Sequence, residues 1–260
     1  MDPRKYFKRY IRLAPFSHAV WRGMEAGCFA EFEKFVKGDI LDIGCGFGEF
    51  VGIVFDNMVE VGIDINKKDL VKAASGKSYK NLILADARKL PFDDASFDCV
   101  VSISTLEHIK KVDKAIEEVE RVLKKGGIFI FSVPTNILNK HLFFPSFLRK
   151  IGLGELSNLY VKIFHWAFSH ENIYSKEKWM NKILSGFKVL DCRGTINTNQ
   201  IRIFELFLPL AFFTQFNRKI FGKRLLFSFK LREMIFEKFF SFFLKGDLTD
   251  ANIIIVATKK

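Results

Sequence analysis

A chain of 260 residues, 49% of them hydrophobic, is long enough to bury the core of one large α/β domain with elaborations. Its four cysteines (Cys28, Cys45, Cys99 and Cys192) are scattered without close pairs, which excludes zinc-type spacing and a disulfide framework and makes a reducing cytoplasm the simplest setting. The formal net charge of +12 favours anionic surroundings, either nucleic acid or a membrane with acidic headgroups.

The chain opens with "MDPRKYFKRYIRLAPFSHAVW", a basic stretch with no continuous apolar run and no small-residue cleavage site, so a secretory signal is not expected. A helix-like segment from His18 to Lys37 completes a basic helical amino-terminal region, residues 1–37. From Asp39 onward the apolar pattern alternates. "DILDIG", "VEVGID", "NLILAD", "FDCVVSIS" and "GIFIFSVP" read as short buried strands rich in Val, Ile and Phe. Between them lie helix-like stretches such as "NKKDLVKAASG" and "KKVDKAIEEVERVLKKGG". The second places Val112, Ala115, Ile116, Val119 and Val122 at helical spacing ahead of a Gly-Gly stop. This alternation predicts a doubly wound parallel sheet. "GFKVLDCRGTI" and the terminal "ANIIIVATKK" read as two further strands, giving a core at 38–198 and a final core strand at 247–260. Residues 199–246 do not join the alternation. They hold thirteen of the 31 phenylalanines among many lysines and arginines, and are expected to form a basic helical insert. Its longest uncharged stretch, "LFLPLAFFTQF", contains Pro209 and falls well short of the roughly 20 residues that span a bilayer.

The stretch "DILDIGCGFG" places Gly44, Gly46 and Gly48 between a strand and the helix-like "GEFVGIVF". Glycine there permits unusual backbone angles and close approach of a ligand, and backbone N–H groups at a helix start can hold an anion. Glu49 stands where the dinucleotide fingerprint would put its third glycine, and Asp42 would oppose a pyrophosphate. A carboxylate at that point suits a ligand carrying an ammonium group instead, as S-adenosylmethionine (SAM) does. Asp64 ends the second strand about twenty residues on, where an acidic side chain accepts hydrogen bonds from ribose hydroxyls. Asp86 ends the third strand, positioned for an adenine amino group.

The segments "LDIGCGFGEF", "VGIDI", "ADARKLPFDDASFDCVVSISTLEHI" and "RVLKKGGIFIFSVPT", in that order over roughly residues 38 to 135, resemble the class I SAM-dependent methyltransferases of the small-molecule and quinone-biosynthesis type. The resemblance implies a Rossmann-like seven-stranded sheet with an antiparallel last strand. It implies that the loop of Gly44, Cys45, Gly46 and Gly48, with Asp42, holds the methionine end of SAM. By the same resemblance Asp64 takes the ribose and Asp86 with Ala87 the adenine, flanked by Ile65 and Leu90, and Ser104 approaches the methionyl part.

Methyl transfer asks the protein mainly for alignment and a dry pocket, and for a base only when the acceptor demands one. His108, in "STLEHIKK", and His170, ahead of a helix capped by Ser175, are the catalytic candidates. Related quinone-biosynthesis enzymes add a glutamate where Ser104 stands here, so no metal is expected. Nucleic acid is disfavoured as acceptor. "SISTLEH" stands where base-amine methyltransferases carry an Asn/Asp-Pro-Pro-aromatic motif, and Cys99 lies within a strand, where it should be inert. The dense phenylalanines of "LLFSFKLREMIFEKFFSFFL" fit a helix in a membrane interface, with a protein-protein contact as the competing use. The sequence therefore leads to a cytoplasmic methyltransferase, peripheral to the inner membrane face through the Phe-rich insert, acting on a small or lipid-linked acceptor. RNA methylation and a non-catalytic SAM-binding protein are the alternatives, and homo-oligomerisation is left open.

Overall fold

The computed structural model of the protein describes residues 4–221, 233–234 and 246–260. The chain divides into two compact units that interleave in sequence.

The larger unit, residues 29–136, 165–193 and 252–260, carries the sheet. Strands β1 (Ile40–Ile43), β2 (Val59–Asp64), β3 (Tyr79–Leu84), β4 (Phe97–Ile103), β5 (Leu123–Pro134), β6 (Phe187–Asn197) and β7 (Leu248–Lys259) adopt the order β3-β2-β1-β4-β5-β7-β6. Pairs among β1 to β5 are parallel, and β7 runs antiparallel to β5. This is the expected seven-stranded arrangement. Every strand read from an apolar run is present, because both faces of a parallel sheet are covered and its strands can be apolar throughout. One side of the sheet packs Leu41, Ile43, Ile63, Val100 and Phe131 with Val119 of α5 (Val112–Val122) and Trp179 of α9 (Lys176–Ile183). Ser175 caps α9 as expected, its Oγ accepting the Lys178 N–H at 3.2 Å.

Local differences from the sequence reading have plain causes. The first helices run from Arg4 to Leu13 (α1) and Phe16 to Ala30 (α2), and beyond Ala30 only a 3-10 turn at Glu33–Phe35 continues toward Lys37. The Gly-Gly pair does not stop α5. That helix gives way at Leu123, which is already extended, and Gly126 and Gly127 lie within β5, where its register against β4 shifts between Phe97 and Cys99. Gly126 takes φ +74°, so the glycines serve the irregularity rather than a helix cap.

The second unit, residues 1–28, 137–164 and 194–251, is largely helical where described and also holds the end of β6 and the start of β7. It contains α1, α2, α6 (Leu138–His141), α7 (Phe143–Lys150), most of α8 (Gly154–Ala167) and α10 (Thr198–Phe221), with Pro209 inside α10. α1 buries Tyr6, Phe7, Tyr10 and Ile11 on one face. Phe16 meets Phe207 at 4.8 Å between ring centroids, and Trp21 meets Phe204 at 4.9 Å. Buried Glu205 of α10 accepts the Phe143 N–H at the start of α7. The expected Phe-rich insert is described only as far as Phe221, together with Glu233 and Met234. The rest of it, including "LLFSFKL" and "FEKFFSFFL", lies outside the described residues.

Candidate functional site

Strand order reverses between β1 and β4, and in open α/β sheets ligands bind at the carboxyl ends of the strands at such a switch point. A cavity of about 460 Å³ lies there. Its wall takes Ile43 and Gly44 from the end of β1, Asp64 and Ile65 from β2, Asp86 to Arg88 from the turn after β3, Ser104 and Thr105 after β4, and His108 to Lys110 beyond. Six of the expected cofactor residues are thus brought together: Gly44, Asp64, Ile65, Asp86, Ala87 and Ser104.

Asp64 fixes the glycine loop. Its Oδ2 accepts the Gly46 N–H at 2.9 Å and its Oδ1 the Asn66 N–H at 2.8 Å. A carboxylate has about four lone-pair sites, so both oxygens can still accept from ribose hydroxyls. Gly44 sits at φ +76°, and a Cβ there would fall 2.2 Å from the Thr105 methyl. Gly46, at φ +52°, would place a Cβ with nothing within 4 Å. The loop therefore presents a backbone surface that a side chain would fill, and with Asp64 beside it this fits the amino-acid and ribose end of SAM.

Four expected cofactor residues lie off the cavity wall. Alternation along β1 sends Leu41 and Ile43 to one face and Asp42 to the other. There Asp42 is buried and accepts the Tyr79 hydroxyl at 2.6 Å. Cys45 joins Val51, Val59, Leu70 and Tyr79 in a small apolar cluster, and burial, followed by the Asp42 and Asp64 charges, pushes its thiol up. Gly46 stands next to the wall, and Gly48 takes φ +75° as the cap of α3 (Glu49–Val54). Leu90 is buried in the main core, whereas Ile65 is 71% exposed at the cavity edge.

Asp86 is engaged more than the sequence suggested. Arg88 grips its carboxylate through Nε at 3.0 Å and Nη2 at 2.6 Å, and these bonds hold the carboxyl below its usual range. Arg88, Thr105, Ile109 and Lys110 line the cavity and were not singled out from sequence. A turn that folds Arg88 back on Asp86, closed by the Asp86–Lys89 bridge, has no composition signal of its own.

The histidines converge although they are distant in sequence. The loop at 169–174 docks on the turn at 106–109. Glu171 and Asn172 N–H groups donate to the Glu107 carbonyl at 2.8 and 3.0 Å, and the Asn172 amide donates to Leu106 and Ile109 carbonyls. His108 Nδ1 donates to the Ser169 carbonyl at 3.0 Å, which leaves Nε2 unprotonated in the neutral ring, 3.7 Å from Glu107 Oε1. The His108 and His170 rings lie 5.3 Å apart, and His165 Nδ1 meets His170 Nδ1 at 2.9 Å. Ligand-type atoms of Glu107, His108 and His170 all lie within 4.8 Å of one another. That geometry can receive a divalent cation, although Ser104 had removed the expectation of a metal: His170, far along the chain, stands as the third donor. Burial first, then His108 and His165, push His170 down to about 3. It is a neutral imidazole near pH 7, suited to donating, accepting or ligating and poorly suited to storing a proton. Cys99 is fully buried and burial pushes its thiol up to about 12, so it is inert as expected.

Residues 41–131 match the methyltransferase domain family. Residues 41–131 are a class I SAM-dependent methyltransferase domain. The sterol 4-C-methyltransferase of Caenorhabditis elegans is 37% identical over 100 residues, covering 35% of this chain and 29% of that one. A tRNA (carboxymethyluridine(34)-5-O)-methyltransferase of Arabidopsis thaliana is 37% identical over 135 residues, covering 50% and 33%. The aligned stretches thus span less than half of those relatives. The geranyl diphosphate C-methyltransferase of Streptomyces coelicolor, solved with S-adenosyl-L-homocysteine, shares the fold with a TM-score of 0.57 at 12% identity, over 94% of this chain and 84% of that one.

Proposed function

We propose that the chain transfers the methyl group of SAM to a small or lipid-linked acceptor, working at a membrane surface. The observation that carries this reading is the cavity at the switch point, whose wall brings together Gly44, Asp64, Ile65, Asp86 and Ser104 from the ends of four strands. Bound SAM supplies an electrophilic methyl group on a sulfonium. The Gly44–Gly48 loop, including Cys45 through its backbone and with Asp42 behind it, holds the amino-acid end. Asp64 accepts from the ribose, Asp86 and Ala87 meet the adenine beside Ile65, and Ser104 faces the methionyl chain. Arg88 shares Asp86 with the adenine or swings aside. His108, a cavity-wall residue whose tautomer Ser169 sets, offers Nε2 to an acceptor proton, and neutral His170 positions that ring and the acceptor.

RNA methylation is the second reading, favoured by the net charge of +12 and by similarity to a tRNA methyltransferase. A SAM-binding protein without turnover is the third. Incubation with methyl-labelled SAM and, separately, a total lipid extract and total RNA decides among them. Label is expected in the organic phase, and His108→Ala should lower it at least tenfold, the lower range of general-base contributions being about a hundredfold. Label in RNA would replace the acceptor class, and binding without transfer to any fraction would support the non-catalytic reading.

A further inference from the structure

Helices α7 and α8 bury almost none of their apolar side chains. α7 buries only Pro145, and α8 only Ser157 and Phe164. On α7 and just beyond it, Phe143, Phe147 and Ile151 recur at four-residue spacing and are 37%, 50% and 52% exposed. On α8, Leu156, Leu159 and Ile163 recur at three and four and are 49%, 51% and 54% exposed. A helix on a water-soluble surface turns such a stripe inward. Here both stripes face outward, and an exposed apolar surface of this size marks an interaction site. Between the helices Phe143, Phe144, Phe147, Leu148 and Tyr160 line a groove of about 330 Å³ with wholly apolar walls.

The pair is pre-assembled. Gly152, at φ +80°, and the N–H groups of Ile151, Gly152 and Leu153, which donate to Phe147, Arg149 and Leu148 carbonyls, close the turn between the helices. Ser157 Oγ donates to the Pro145 carbonyl at 3.0 Å, and Phe144 meets Tyr160 at 5.8 Å. Exposed Lys140, Arg149, Lys150 and Lys162 flank the stripe, with Glu155 the single carboxylate between residues 137 and 164.

Apolar stripe and basic margin together match an interface of acyl chains and acidic headgroups. We propose that the α7–α8 hairpin is a docking surface for anionic lipid bilayers, with the groove receiving an acyl chain. This names the membrane-contacting surface of the reading above and rests on that reading for its purpose. Its test does not, because lipid binding is measured without SAM or acceptor. The full chain is co-sedimented with vesicles of phosphatidylcholine alone and with phosphatidylglycerol added. Preferential binding to the anionic vesicles is expected, weakened but not abolished by salt. Phe147→Ser, Ile151→Ser, Leu156→Ser and Ile163→Ser combined should lower the partition on the order of a hundredfold or more, since each apolar side chain withdrawn from water contributes substantially. Arg149→Glu with Lys150→Glu should remove the preference for anionic vesicles. All these side chains are exposed, and far-ultraviolet circular dichroism checks that each variant is folded. The proposal is overturned if the intact protein stays in the supernatant at low salt, or if the serine variant binds as the parent does. It is likewise overturned if sedimentation velocity shows a dimer that the serine variant dissolves while vesicles go unbound, which would make the stripe an interface between copies.

Discussion

Gly44→Ala should lower the stability of the protein and abolish detectable cofactor binding together. At φ +76° a side chain carries the left-handed strain of about 1–2 kcal/mol, and its Cβ would overlap the Thr105 side chain at 2.2 Å. Overpacking of that kind adds roughly 1–3 kcal/mol. For a chain of this size the two together should lower the melting temperature by roughly 5–15 °C. Gly46→Ala is the informative partner. It carries similar backbone strain, yet its Cβ meets nothing within 4 Å, so it should cost about half as much stability while obstructing the ligand as effectively. Differential scanning fluorimetry with and without SAM reads both effects. Equal melting temperatures for the two variants would show that Thr105 yields freely and that the tight approach of β1 to β4 at this point is not maintained.

Asp64→Ala should weaken SAM binding by roughly 1.5–3 kcal/mol, the scale of hydrogen bonds to a charged group, or about ten- to a hundredfold in affinity. Two effects contribute in this protein. The ribose loses its acceptor, and the Gly46 N–H loses the carboxylate that pins the loop. Asp64→Asn separates them, because the amide keeps one acceptor oxygen for the loop but replaces the other by a donor facing Asn66 or the ribose. An intermediate loss for Asn is expected by calorimetry. If Ala and the parent bind alike, the ribose is held elsewhere.

The sheet was legible because its strands are short, apolar and bounded by turn residues, and because the acidic strand ends at Asp64 and Asp86 fall at fixed offsets from the glycine loop. Side-chain direction was harder. Asp42 is next to the loop in sequence, but strand alternation turns it to Tyr79 and away from the cavity wall. The Arg88–Asp86 grip depends on a tight turn that the residues Asp86, Ala87, Arg88 and Lys89 do not announce. His170 and His108 are sixty-two positions apart, and they meet because the backbone of Glu171 and Asn172, the Asn172 amide and the Ser169 carbonyl dock the loop at 169–174 on the turn at 106–109. The membrane-facing reading was drawn to the density of phenylalanines after Asn199. The stripes of α7 and α8 have ordinary helical periodicity, and periodicity alone does not say whether the apolar face turns toward a core or away from it. Burial decides that, and burial is set by what the rest of the chain packs against.

The central claim is that the switch-point cavity is a SAM site. Isothermal titration of S-adenosyl-L-homocysteine into the full chain tests it most directly, because that product shares the adenosine and amino-acid groups with SAM and needs no acceptor. The account predicts saturable binding at one site per chain, weakened by Asp64→Ala, with no comparable heat from NAD, because Glu49 stands where the dinucleotide fingerprint requires its third glycine. Absence of binding by S-adenosyl-L-homocysteine, or binding of NAD with equal affinity, would contradict it.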